Sequence, residues 1–350
     1  MKKVLAIILA LVMVFGLAAC GSGNTTPSGN GNTEPAPEKK VYEFKFSVAQ
    51  SFMALMEEYV KNMEEKSDGR IKITLYDNNS FGTVTDILTM TQDGSLDLFY
   101  GGVSQFSGTF NVGTFCDIPF VFRNPTDVYD AFHAVWDAGY LDKEMETDKL
   151  HLAFGTITDM QRIATKSVKL DAPANFKGMK IRNNSSYLIP VFEDLGAVPT
   201  SIRVSEVYLS LQTGVIDAAI SSPESMCTYK YQEICKYCLE TPLYGGFMIG
   251  MMNKKSYESM DEETRALFDK INQEYMEMQL KNCIDKEYNI SEKTLKDGGM
   301  EFYEASDALM KDVFEKYVQQ GKDTYVKKMN DLGYDGAKIL DTVLKAVDKR

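Results

Sequence analysis

The stretch Lys177–Pro223, KGMKIRNNSSYLIPVFEDLGAVPTSIRVSEVYLSLQTGVIDAAISSP, decides the fold. It reads as strand, helix, short strand, helix, strand, the alternation of a parallel α/β unit. Arg182 stands where the first of these strands runs out. The chain has only seven arginines against 50 acidic residues. An arginine at the carboxyl end of a strand sits where open α/β sheets place their ligands. Its planar fork matches a carboxylate bidentately, which a lysine cannot do.

Upstream, Tyr42–Val48 alternates as YEFKFSV and predicts a strand. Phe52, Leu55, Met56, Tyr59, Val60 and Met63 then recur at helical spacing up to the stop Ser67-Asp68-Gly69, and Ile71, Ile73 and Leu75 alternate again. This is a βαβ unit, right-handed by the rule for such crossovers. A helix over 83–93, a strand over 96–100, a helix over 127–138 and a strand over 151–156 follow. Downstream, 247–253 reads as a strand and 261–297 as one very long helix, possessing more length than one domain is wide at roughly 1.5 Å per residue. Helices over 305–327 and 337–347 close the chain.

The N-terminus reads as a processing signal. Lys2 and Lys3 precede an apolar run, 4–16, which ends in Leu17-Ala18-Ala19-Cys20, a small-residue cleavage site before a cysteine. The run is too short and wrongly flanked for a retained spanning helix. Cys20 is therefore the expected lipidation site, 1–19 the signal peptide, and 20–40, rich in Gly, Ser, Asn, Thr and Pro, a flexible tether. The formal charge is −12, and cleavage removes two further cations. Nucleic acid and polybasic membrane contacts are excluded as partners; the membrane is reached by the lipid alone.

Enzyme chemistry finds no support. His133 and His151 are the only two histidines and have neither triad nor zinc spacing, and no nucleophile-elbow or phosphate-loop motif stands in the right context. Cys227, Cys235 and Cys238 read as packed thiols, with one disulfide among them left open. No metal and no cofactor is expected. Gln50, Ser51, Asn79, Gly102, Ser104, Thr156 and Ser221 follow predicted strands, which makes them candidate ligand contacts at one rim; helix caps and turns use the same residue types. Tyr244 and Phe247 are candidates for an aromatic wall or for hinge packing. Arg162 is a second candidate cation, with a hinge-strand ion pair as its competing reading.

Six motifs, in order, resemble the solute-binding proteins of TRAP transporters, the DctP-like family. They are Glu65-x-x-Asp68-Gly69-Arg70-Ile71, Ser80-Phe81-Gly82, Asp93-Gly94-Ser95-Leu96-Asp97-Leu98, Ile118-Pro119-Phe120-Val121-Phe122, Phe176-Lys177-Gly178-Met179-Lys180-Ile181-Arg182, and the run Ser205–Asp217, SEVYLSLQTGVID. Together they cover about 43–350. The resemblance implies an α/β, two-domain periplasmic-binding-protein-like fold with a cleft, crossing strands and one long helix spanning both domains. Crossings are expected near Asp159–Gln161 and at Gly245-Gly246, with domain I formed by 41–159 plus 247–287 and domain II by 160–246 plus 288–350.

The resemblance also implies roles. Arg182 matches the family's principal carboxylate-binding arginine, and Arg162 a second arginine that lines the pocket of sialic-acid-binding members. Ser221 stands where those members have an asparagine, a departure that argues against sialic acid. Tyr208 matches the tyrosine of the "E-V-Y" motif. The expected function is capture of a small organic acid by an extracytoplasmic, lipid-anchored monomer that hands it to TRAP membrane subunits driven by an ion gradient. An ABC-type binding lipoprotein and a ligand-sensing lipoprotein are the alternatives.

Overall fold

The computed structural model describes residues 39–106, 108–283 and 288–348. Lys40–Arg350 forms one compact unit, and the expected signal peptide and lipidation site, Cys20, lie outside the described residues. In chain order the elements are β1 Tyr42–Val48, α1 Met53–Lys66, β2 Ile71–Asp77, α2 Val84–Asp93, β3 Leu98–Gly102, α3 Pro125–Asp137, α4 Asp142–Met145, β4 Leu150–Thr165, β5 Lys180–Arg182, α5 Ile189–Asp194, β6 Val198–Thr200, α6 Val204–Thr213, β7 Ala218–Ser221 and α7 Pro223–Thr228. Then come β8 Tyr237–Asn253, α8 Lys254–Ser259, α9 Glu262–Asn282, α10 Tyr288–Asp297, β9 Glu301–Tyr303, α11 Asp307–Leu309, α12 Glu315–Asp331 and α13 Gly336–Val347. The deciding stretch folds as expected, β5-α5-β6-α6-β7.

Local chemistry sets the helix ends. Thr83 and Asp86 form a capping box at α2, each side chain taking the other's backbone N–H. Asn124 caps α3, with Pro125 in the first turn where its missing N–H costs nothing. α6 ends at Gly214, whose φ of 76° a residue with a Cβ rarely adopts.

One sheet runs β2-β1-β3-β8-β4-β7-β5-β6, with β9 also paired to β8. β4 and β8 have 16 and 17 residues and pair antiparallel from Leu150 opposite Asn253 to Thr165 opposite Tyr237. At roughly 3.3 Å per residue each spans about 50 Å and belongs to both halves of the sheet. The register shifts between Thr158 and Ile163, the expected crossing. Gly246 faces Thr158 there: a Cβ on Gly246 would fall 1.8 Å from Thr158 Oγ1. The first crossing strand was expected only as 151–156 with an extended run after it, and the second only as 247–253; both are continuous. Burial explains the difference, because neither segment of a strand covered on both faces carries a period-2 signal.

Each half has a core on each face. Phe44, Phe46, Tyr59, Phe154, Phe268 and Tyr275 fill one face of the β2-β1-β3 side, and Phe99, Phe115, Phe132 and Phe247 the other. Beyond the crossing, Ile163, Ile181, Leu188 and Ile220 lie on one face, and Ala164, Leu211, Met226 and Leu295 on the other. α9 buries Phe268 and Tyr275 in the first half, whereas α10 buries Leu295 in the second. The single long helix expected over 261–297 is therefore described as two helical stretches serving different halves. α13 departs from the expected division: Ile339, Leu340 and Val343 pack with Val128 and Phe132 of α3, on the side assigned from sequence to domain I rather than domain II. Its strongly amphipathic pattern shows that it needs an apolar partner but not which one.

Candidate functional site

β5 is three residues long, and alternation sends Ile181 into the core and Arg182 to the opposite face. Arg182 pairs in register with Ala219 on β7, and Ser221 on the same strand pairs with Arg162 on β4. Arg182, Ser221 and Arg162 therefore share one face of the sheet. Arg182 is 5% exposed. Its Nε donates to the Ile202 carbonyl at 3.1 Å and its Nη1 to the Ile220 carbonyl at 2.7 Å. Burial pulls its pKa below the ordinary arginine value; the groups acting in the other direction are the rings of Tyr231, Tyr244 and Tyr229, and no acidic side chain is among them. A guanidinium does not release its proton under such pressure. What remains is a buried, charged fork oriented by two carbonyls.

The tyrosines bring the two halves together. Tyr229, just past α7, meets Ser51 from the end of β1 and feels the charges of Asp77, at the end of β2, and Arg182. Tyr231 is fully buried next to Ser221, and its hydroxyl makes no well-formed hydrogen bond. Tyr244, at the crossing on β8, is buried and within electrostatic reach of both Asp117 and Arg182. Asp117 accepts from Ser104 Oγ at 2.7 Å and is pushed up to about 6 by burial, against that hydrogen bond and the charge of Lys328. Three candidates thus gather around Arg182: Ser51, Ser221 and Tyr244. The sequence reading missed Tyr229, Tyr231, Asp77 and Asp117; only the placement of Tyr229-Lys230-Tyr231 directly after the helix that follows β7 hinted at the first two.

Most of the other candidates are engaged elsewhere. Arg162 is 0% exposed and its Nη1 meets Glu292 of α10 at 3.1 Å, with the Phe302 ring 5.8 Å from its guanidinium carbon. Here the ion-pair reading replaces the ligand reading, because a cation buried this deeply needs a permanent counter-charge. The Tyr208 hydroxyl donates to Glu233 at 2.8 Å in an exposed contact on α6. The Phe247 ring packs 4.0 Å from Phe132 inside the core, so it forms no pocket wall. Thr156 is tied to the Tyr100 hydroxyl at 2.6 Å. Ser104 and exposed Asn79 bond the two carboxylates linked to the Arg182 group: Ser104 donates to Asp117, and Asn79 gives Asp77 its backbone N–H at 3.0 Å and its side-chain amide at 3.1 Å. Gln50 is exposed in the turn after β1, and Gly102 faces Met248 across β3 and β8. A cavity of about 320 Å³ bounded by Gln92, Thr109, Lys143, Glu144, Leu332 and Tyr334 shares no residue with the Arg182 group. Cys227, Cys235 and Cys238 are free thiols, so the three neighbours form no disulfide among themselves. Among the described residues no cluster of His, Cys, Asp and Glu could hold a metal ion.

A sheet in two halves tied by crossing strands, with an arginine at a strand end that no carboxylate pairs among the described residues, fits one class: the two-domain solute-binding proteins. The chain belongs to the DctP family, the bacterial extracellular solute-binding proteins of family 7, whose model matches residues 49–328. It is 30% identical to the C4-dicarboxylate-binding periplasmic protein DctP of Rhodobacter capsulatus, over 69% of this chain and 72% of that one. Its fold superimposes on DctP6, a Bordetella pertussis extracytoplasmic solute receptor binding pyroglutamic acid, with a TM-score of 0.77 at 20% identity, covering 88% of this chain and 100% of the other. A TRAP periplasmic solute-binding protein from Chromohalobacter salexigens with bound D-glucuronate matches with a TM-score of 0.74 at 21% identity, over 86% and 99%. Among the described residues no helix is long and apolar enough to cross a membrane.

Proposed function

We propose that this chain is the solute receptor of a TRAP-type transporter, tethered through a lipid on Cys20 outside the cytoplasmic membrane, and that it captures a small organic acid by its carboxylate on Arg182. The observation that carries this reading is Arg182 itself, 5% exposed, held by the Ile202 and Ile220 carbonyls and, among the described residues, paired with no acidic side chain. A buried charge without a counter-charge is costly to the protein alone, and a bound anion offsets that cost. Ser51, Ser221, Tyr229, Tyr231 and Tyr244 supply hydroxyls around the acid. The names of the relatives support the class of ligand: a C4-dicarboxylate, pyroglutamic acid and D-glucuronate are all acids.

In this reading 41–159 with 247–287 and 160–246 with part of 288–350 move as two lobes that close over the ligand. The closed form is handed, as a monomer, to membrane subunits that use an ion gradient. The protein itself catalyses nothing and needs no cofactor. A ligand that binds only the folded form raises the melting temperature by mass action. A thermal-shift screen of the purified protein with a broad panel of carboxylates is expected to yield at least one shift of several degrees that Arg182→Ala abolishes. A panel without any shift, or a shift that survives the substitution, sinks the assignment.

A further inference from the structure

Arg162 and Arg182 lie on one face of the sheet, on strands separated by β7 alone. Two cations so placed would form a receptor for a diacid. Glu292 prevents this: it meets Arg162 at 3.1 Å and is itself also paired with Lys296. Glu292 keeps its charge because those two cations outweigh the burial that works against ionisation. The groups acting on Arg182 are the uncharged hydroxyls of Tyr229, Tyr231 and Tyr244, with Ser221 on the same face of the sheet and Ser51 bonded to Tyr229. The charged groups that act on those tyrosines, apart from Arg182, are carboxylates: Asp77 on Tyr229, and Asp117 on Tyr244. Lys328, the cation nearest Asp117, sits between Asp117 and Glu144 and is matched by both.

Resting on the reading of Arg182 as the carboxylate anchor, we infer that this site selects acids with a single carboxylate whose remaining polar groups are hydrogen-bond donors, hydroxyl or N–H. One end of such a ligand meets the guanidinium, and its donors meet tyrosine oxygens and the Asp77 and Asp117 carboxylates. A second carboxylate would be dehydrated without a cation and would face like charge, the combination by which binding sites reject a near-isostere.

The test is calorimetric titration of the intact protein with acids paired by carbon count: 3-hydroxypropionate with malonate, 4-hydroxybutyrate with succinate, gluconate with glucarate, 3-hydroxybenzoate with isophthalate. In every pair that binds, the monoacid is expected to be at least tenfold tighter. Asp77→Asn, which removes one facing charge, is expected to narrow that ratio several-fold. A diacid equal to or tighter than its partner overturns the selectivity while leaving Arg182 as anchor. Binding by neither member of any pair overturns the selectivity and the anchor together. Melting curves of the Asp77→Asn protein distinguish a changed site from a misfolded one.

Discussion

Arg182 Nη1 donates to the Ile220 carbonyl at 2.7 Å, so the guanidinium is aimed by the backbone of β7 and not by a carboxylate. The next residue on that strand, Ser221, is the register partner of Arg162. One arginine is thus oriented yet uncompensated, the other compensated and withdrawn, with one strand between them.

Arg182→Ala is expected to weaken acid binding by about two orders of magnitude, since losing the partner of a dehydrated charge costs about 2–5 kcal/mol. Ligand-free melting should change little, because the substitution removes a buried charge as well as two hydrogen bonds. Arg182→Lys should recover only part of the affinity, as an ammonium cannot serve both carbonyls and a bidentate carboxylate. Calorimetry with the best ligand from the screen, read beside ligand-free melting, decides it; unchanged affinity in the alanine variant contradicts the role.

The Arg162–Glu292 pair should matter for stability, and unequally from its two ends. Glu292→Ala takes the carboxylate from a fully buried arginine and is expected to cost about 3–5 kcal/mol. Arg162→Ala leaves Glu292 its contact with Lys296 and should cost less. The double variant Arg162→Met with Glu292→Met should be more stable than Glu292→Ala. Urea denaturation of the four proteins checks the order, and equal costs for the two alanine variants would show that the pair is not what holds Arg162.

Asp117 makes stability depend on pH with a definite sign. Its pKa is raised from an ordinary 3.8 to about 6, so the native state binds its proton more tightly than the unfolded chain does. Its contribution is fully present below about pH 4 and is lost as pH rises through about 6, by about 3 kcal/mol at 1.36 kcal/mol per pH unit. Asp117→Asn should therefore gain on the native protein between pH 4 and pH 7. The difference between the two unfolding free energies, measured at half-unit steps, should grow over that window; a constant difference rejects the assignment.

The crossing of β4 and β8 has no room for a side chain at Gly246, where a new Cβ would lie 1.8 Å from Thr158 Oγ1. Gly246→Ala is expected to destabilise by about 1–3 kcal/mol, the usual range for overpacking. Adding Thr158→Ala should return much of the loss. If the single variant melts like the native protein, the close approach is not a constraint.

The α/β alternation of 177–223 was legible because each element there is short, bounded by a helix stop or turn, and built from neighbours in sequence. Arg182 was legible for the same reason: its place depends on β5 ending where it does. Arg162 was not, since its partner Glu292 stands 130 residues away and nothing local distinguishes a withdrawn arginine from a receptive one. Thr156 was illegible in the same manner: it follows a strand, but Tyr100 reaches it across the fold.

By itself the sequence determined the class of fold and the one arginine at the decisive strand end. These follow from periodicity, turn chemistry and composition, which act over a few residues. Only the tertiary structure decided which polar groups stand around that arginine, which of the two arginines keeps its charge available, and which half of the sheet receives α13. Those outcomes depend on distant segments meeting in a water-poor interior, where a charge must be matched and an apolar face must be covered, and where several pairings satisfy the local pattern equally well.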